Sequence, residues 1–379
     1  MQKYVIYLFH LYQPSWQEKS VLRAEYNRTY FPLVKILEQN PNIHMTVNIT
    51  GSLTQQLLDD EKTEFFDLLK MLVDRNQVEL TGSAMFHPLL PLIPENEILR
   101  QIQLNEELNQ KALGDSWKKA QASPFGRGFY LPELAYSDTV ARVIRQAGFQ
   151  WITVDQSSMP ENNVDWSKRY QEKNTELPLL IHNRIFHSTS EDRFMDTYNV
   201  LISDGENQID EQNMEIDWNT YLYHTIHDHS IIYLTANEYF SQIPEDKISV
   251  ALHQSSWQTS DEDLNANTPF PLWDMPSNAI HQLLWSFLRD VRAAVIQNPH
   301  DLQAYRAQCE LDRGLSSCTW WWADGRILGY NPTNICRGLE SMISAVRALE
   351  TLQKKERLVF EKRYSQIVFE VWARHWNSQ

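Results

Sequence analysis

The sequence predicts an α/β protein in which a parallel sheet, open or closed into a barrel, is followed by a helical domain. Three observations predict this. Short β-branched or aromatic runs alternate with amphipathic stretches through the first part of the chain. The alternation stops near residue 265, beyond which the pattern is helical. Polar residues ill-suited to a core recur just past the ends of the apolar runs, where a parallel barrel gathers its working groups.

The strand candidates are 4–9 (YVIYLF), 43–48 (IHMTVN), 77–81 (QVELT), 127–131 (RGFYL), 150–154 (QWITV), 199–203 (NVLIS) and 231–235 (IIYLT). Residues 29–39, 53–75, 95–113, 137–147 and 215–223 read as helices between them, with Asn, Asp, Ser or Pro near their starts. Such alternation implies right-handed crossovers and parallel strands. The polar, turn-rich stretch 156–180 reads as an insertion between strands and a candidate lid. From there on, 278–297, 300–313, 334–353 and 355–376 read as long helices. In the first of them Leu284, Phe287, Leu288 and Val291 face inward. The expected division is a catalytic domain over 1–264 and a helical domain over 265–379 that packs on it and completes the cleft. With only 11 glycines and no low-complexity tract, flexible interdomain linkers are not expected.

Composition narrows the function. The 379 residues are 42% hydrophobic and 22% charged, which excludes a disordered chain. A net charge of −15 argues against nucleic acid or an anionic membrane as the main partner. No apolar run approaches the roughly 18 residues a membrane span needs. The opening MQKYVIYLFHLYQP runs straight into a strand without a cleavage site, so a soluble cytoplasmic protein is expected. Cys309, Cys318 and Cys336 are odd in number and lack CxxC spacing, as buried free thiols would. The 13 Trp, 16 Tyr and 15 Phe, in a chain of mean hydropathy −0.49, suggest that some flat rings serve a binding surface of the kind on which sugars stack, with ordinary core tryptophans as the alternative.

His10 and Gln13 follow the first strand candidate, His87 the third, Glu133 the fourth, Asp155 the fifth, Asp204 and Glu206 the sixth, and Asn237 and Glu238 the seventh. In a parallel barrel these positions share one rim. Glu133, in GFYLPELAYS, is set among Tyr130, Leu131, Leu134 and Tyr136, a setting that suits a nucleophile or base. The competing reading is a carboxylate at a helix N-terminus opened by Pro132. Asp204, in VLISDGEN, ends a strand at an Asp-Gly-Glu corner whose acids turn to the rim or divide between site and solvent; an Asx-turn is the alternative. Two carboxylates from different strands are what glycosidic cleavage requires.

His224, His227 and His229 have metal-like spacing but precede the last strand candidate, which places them at its far end on a surface turn. In the run Trp320, Trp321 and Trp322, three consecutive side chains cannot share a face, so at least one reaches a cleft. The alternative is core packing, and Asp324 reads as a cap or a site residue.

FHLYQP (9–14) resembles the first motif of glycoside hydrolase family 57, usually His-x-His-Gln-Pro, with Tyr12 in place of the second His. ELTGSAMFHPLLPLIP (79–94), GFYLPELAYS (128–137) and SDGE (203–206) resemble its second to fourth motifs. The resemblance implies an incomplete (β/α)7 TIM-like barrel with a C-terminal helical domain, and a retaining glycosidase or 4-α-glucanotransferase acting on α-1,4-glucan without a metal or cofactor. It maps the nucleophile onto Glu133 and the acid/base onto Asp204. His10, Gln13, His87, Tyr130, Glu206, Trp321 and Asp324 are then the substrate-binding candidates. Two rivals stand beside it: a zinc-dependent polysaccharide deacetylase using Asp155 or Asp204 with two histidines, and a non-catalytic sugar-binding homologue.

Overall fold

The computed structural model describes residues 3–161, 163–184, 197–206, 208–209, 215–216, 230–327 and 329–377. The chain forms two compact units: the first comprises Met1–Gln13, Gln17–Met85 and Leu90–Trp257, and the second Pro14–Trp16, Phe86–Leu89 and Gln258–Gln379.

In the first unit β1 (Lys3–Leu11), β2 (Met45–Ile49), β3 (Val78–Thr81), β4 (Gly128–Phe129), β5 (Trp151–Asp155), β6 (Arg169–Glu172), β7 (Leu179–His182), β8 (Tyr198–Asp204), β9 (Gln208–Ile209), β10 (Glu215–Ile216), β11 (Ile231–Leu234) and β12 (Lys247–Val250) follow in order. β1 pairs with β2, β8 and β11, and β2 with β3, all parallel. β5 joins β4 and β7 in a second parallel sheet. The ladders do not run on into a closed barrel among the described residues. Between β3 and β4 the pairing narrows to a parallel bridge at Gly82 and Phe129, and between β7 and β8 Asn183 donates its N–H to the Val200 carbonyl.

The twofold period of a strand separates two environments. Val5, Tyr7, Phe9 and Leu11 of β1, Met45, Val47 and Ile49 of β2, and Val78 and Leu80 of β3 belong to one buried apolar cluster with Leu33 and Leu37, Leu53 and Leu57, and Phe65, Leu69 and Leu72. Those last residues come from the helices Phe31–Gln39, Gly51–Asp59 and Thr63–Asp74. Among the alternate positions His10, Thr46, Asn48, Glu79 and Thr81 are buried and polar, while Ile6 and Leu8 of β1 are buried and apolar. The sheet is therefore armoured by helices on one face and chemically furnished on the other.

Several expectations need correcting. The predicted helix 53–75 is two helices, because Glu61 takes a left-handed φ of 57° and interrupts the turn. The segment 156–180 is not merely an insertion. It contains β6, which pairs with β12, and runs into β7, whose four residues are buried beside β5. β6 escapes detection because its sequence, RYQE, has no apolar alternation. Of the predicted helix 215–223, Glu215–Ile216 is instead a strand antiparallel to Gln208–Ile209; the remainder, like His224, His227 and His229, lies outside the described residues.

The second unit is helical, with Ala279–Gln297, Ala304–Gly314, Cys318–Asp324, Pro332–Ala348 and Lys354–Asn377 as its main elements. Leu284, Phe287, Leu288 and Val291 are buried as their spacing predicts, together with Leu311, Ile335, Leu339, Met342 and Ile343. Among the described residues no helix is long and apolar enough to cross a membrane.

Candidate active site

Parallel register brings His10 opposite both Asn48 of β2 and Asp204 of β8 at the C-terminal ends of the strands. The Asn48 side-chain amide donates to Thr81 Oγ1 at 3.1 Å and to the Gly82 carbonyl at 3.3 Å, which leaves its Oδ1 to accept from His10 Nδ1 at 2.8 Å. Burial lowers the His10 pKa to about 3, so the ring is neutral with its lone pair on Nε2. One face of that ring stacks on Tyr130 with centroids 4.2 Å apart, and Tyr12 stacks on His10 at 5.9 Å.

Tyr130, just past β4, stacks on the ring that faces Asp204 in register and leads into the turn that carries Glu133. Burial pushes its phenol well above the ordinary range, and the charges of Asp204 and then Glu133 push it further. The phenol thus lies within electrostatic reach of both acids.

Glu133 sits in a short turn, Pro132–Leu134, and is not the N-terminal carboxylate of a helix. The next helix, Asp138–Gln146, begins five residues later, capped by Ser137. Glu133 and Leu134 have left-handed φ values of 60° and 47°, a conformation that costs a non-glycine residue about 1–3 kcal/mol. Glu133 is 7% exposed. Its Oε2 accepts from the indole Nε1 of Trp257 at 3.0 Å, and its carbonyl accepts from the Trp257 peptide N–H at 3.1 Å.

The Asp-Gly-Glu corner is held by the Gly205 N–H, which donates to the His10 carbonyl at 2.7 Å. A Cβ there would meet the end of the Leu11 side chain, which would have to shift to admit it. The Asp204 carboxyl has no hydrogen bond among the described residues, and its burial raises the pKa to about 7. Glu206 rises to about 8, through burial first and the Asp204 charge next. Its Oε1 accepts from Tyr30 Oη and from Gln13 Nε2, each at 2.7 Å. Gln13 and Glu206, both substrate-binding candidates, therefore bind each other.

Asn237 and Glu238 do not join the rim. β11 pairs only with Lys3–Ile6, so its end reaches only part-way along β1, and Asn237 bonds to Glu79 while Glu238 pairs with His44 at the start of β2. Asp155 is fully buried and ion-paired to Arg184, 2.6 Å from its Nε. His182, opposite Asp155 in the β5–β7 register, accepts the Ile202 N–H through Nδ1. His87 is in the second unit, buried in a left-handed conformation, with Nδ1 3.1 Å from Ser317 Oγ. Also in that unit, Trp320 is buried and stacks on Trp285, while Trp321 and Trp322 are partly exposed and meet edge to face. Asp324 pairs with Arg326 at 2.6 Å. Among the described residues, no three His, Cys, Asp or Glu side chains are grouped to hold a metal.

Sequence reasoning missed Asn48, Tyr30, Trp257 and Arg184. Asn48 carried a usable signal, being a polar residue at the C-terminal end of an apolar strand. Tyr30, Trp257 and Arg184 carried none, since each reaches the site from a helix or loop distant along the chain.

The model of glycosyl hydrolase family 57 matches residues 6–253, a span holding all the rim residues just described. This chain is a member of family 57. Among curated relatives it is 31% identical to an alpha-amylase of Pyrococcus abyssi and 28% identical to a 4-alpha-glucanotransferase of Thermococcus litoralis. Each match spans 150 residues, 40% of this chain but only 21% of the relative. The family 57 fold extends further than that. The crystal structure of the Thermococcus litoralis 4-alpha-glucanotransferase superposes with a TM-score of 0.70 at 20% identity, covering 93% of this chain and 59% of the other. A family 57 branching enzyme of Thermococcus kodakaraensis gives 0.69 at 14% identity, covering 96% and 94%.

Proposed function

We propose that this family 57 member is a retaining glycosidase or 4-α-glucanotransferase acting on α-1,4-linked glucan, with Glu133 as nucleophile and Asp204 as acid/base. The observation that carries the reading is the stack of His10 on Tyr130 at 4.2 Å, which joins the strand end opposite Asp204 to the segment leading into Glu133. A carboxyl with a pKa of about 7 is still substantially protonated near neutral pH, as a general acid must be. Glu133 receives an indole N–H on its side chain, an interaction that favours its anion.

In the first step Asp204 gives its proton to the departing glycosidic oxygen. The C1–O bond breaks, and Glu133 forms a glycosyl ester at the anomeric carbon. In the second, the Asp204 carboxylate takes a proton from water or a sugar hydroxyl, which attacks C1 and frees Glu133. Neutral His10 and Tyr130 wall the site, and the Gln13–Tyr30–Glu206 cluster braces the corner that carries Asp204. The three free thiols accord with a cytoplasmic location.

Incubation of the purified protein with maltoheptaose tests the reading. Release of reducing ends or redistribution of chain length is expected from the wild type and not from Glu133→Gln. A Glu133→Gln variant that processes the sugar at the wild-type rate removes the assignment.

A further inference from the structure

We propose that Arg184, anchored by Asp155, is a positioning residue that sets the Glu133 carboxylate through Trp257. The inference rests on the reading of Glu133 as nucleophile.

Glu133 and Leu134 occupy successive left-handed conformations, and such strain persists only where neighbours over-determine it. The segment 255–257 does so. The Tyr136 N–H donates to the Ser255 carbonyl at 2.9 Å, and the Trp257 N–H donates to the Glu133 carbonyl at 3.1 Å, so this strap lies along the Glu133 turn. The Trp257 indole then bonds the carboxylate itself at 3.0 Å.

The strap is held from behind by a charge. Arg184 Nη2 donates to the Trp257 carbonyl at 2.8 Å and to the Ser256 carbonyl at 3.3 Å. Its Nε lies 2.6 Å from Asp155 Oδ1, and Asp155, the last residue of β5, is 0% exposed. The second sheet thus fixes a carboxylate, the carboxylate fixes a guanidinium, and the guanidinium fixes the residue whose indole aims Glu133. The guanidinium donates to both carbonyls through Nη2 while its charge stands beside the Asp155 carboxylate, two roles that the compact ammonium of a lysine on its flexible stem is not shaped to combine. Asp155 has no separate role in the proposed chemistry, and its partnership with Arg184 explains why a buried acid stands there.

The test is steady-state kinetics on maltoheptaose across pH 4–9, with melting temperatures, for the wild type, Glu133→Gln, Trp257→Phe, Arg184→Gln and Arg184→Lys. Trp257→Phe is expected to lower kcat roughly 10- to 100-fold, the effect of one lost bond to a charged group, with little change in KM. The acidic limb of its kcat/KM profile moves to higher pH, because a carboxylate deprived of a donor holds its proton more tightly. Both Arg184 variants reproduce that shift in weaker form. An unmoved acidic limb in Trp257→Phe overturns the proposal even if activity and melting temperature fall, since the strap is then scaffolding alone. An Arg184→Lys enzyme that matches the wild type overturns the part played by the fork. An inactive wild type, or a Glu133→Gln variant as fast as the wild type, instead removes the nucleophile reading beneath it.

Discussion

Gln13 donates its side-chain N–H to Oε1 of Glu206 over 2.7 Å, across 193 residues of sequence, and Tyr30 gives the same oxygen a second bond. The acid so held has its pKa raised from 4.5 to about 8. Between those values the folded protein keeps a proton that the unfolded chain releases. The contribution to stability is thus full below pH 4.5 and is lost as pH rises through about 8. Glu206→Gln retains an acceptor for both donors and abolishes the titration. Its melting temperature should match the wild type at pH 5 and exceed it by a few degrees at pH 9, a gain on the order of 1–3 kcal/mol. Thermal melts showing the same gap at both pH values would refute the account.

Asp204 carries the complementary prediction for catalysis. Its pKa of about 7 makes kcat/KM decline as pH rises through neutrality, when the acid form is lost. Asp204→Asn should lower turnover of maltoheptaose by roughly 10²–10⁴-fold and abolish that basic limb. Circular dichroism should show an intact fold. A basic limb that survives in Asp204→Asn would assign it to another group.

The neutrality of His10 depends on what Asn48 offers it. Asn48→Asp places a carboxylate 2.8 Å from Nδ1, where it would stabilise the imidazolium. The His10 pKa should climb from about 3 by several units, read from ring nitrogen shifts in NMR. Loss of the amide donors to Thr81 and Gly82 should cost about 1–3 kcal/mol of stability. A His10 still titrating near 3 would show that burial alone sets its state.

Gly205 tests the Asp-Gly-Glu corner sterically. Gly205→Ala drives a methyl into Leu11 and lies 3.3 Å from the His10 carbonyl. It should destabilise by about 1–3 kcal/mol and reduce kcat by displacing Asp204. Adding Leu11→Ala makes room, so the double variant should recover kcat while remaining less stable than the wild type. Additive losses of kcat would mean that the collision is not what moves the corner.

Local pattern reveals only what neighbouring residues in the chain encode. The strands 4–9, 43–48 and 199–203 announce themselves by apolar content, and a parallel sheet then brings His10 and Asp204 to one end. β6 did not, because an edge strand with polar residues has no hydrophobic period to read. The assignment of Asn237 and Glu238 to the rim failed for a different reason. Their strand was found, but its register against the first half of β1 is a tertiary fact. Trp257 was invisible because its partner is 124 residues away and nothing nearby in the chain distinguishes that indole from a core tryptophan.

The alternation along β1 has an evolutionary corollary. Phe9 and Leu11 belong to the helix-packed layer, while His10 between them meets Asn48 and Tyr130. Inserting or deleting one residue ahead of His10 in this strand would exchange the two sets beyond it, sending an imidazole into oil and a phenyl ring toward Asn48 and Tyr130. Length variation must therefore be borne by the connecting loops, and the strand itself is expected to stay frozen in length wherever the reaction is kept.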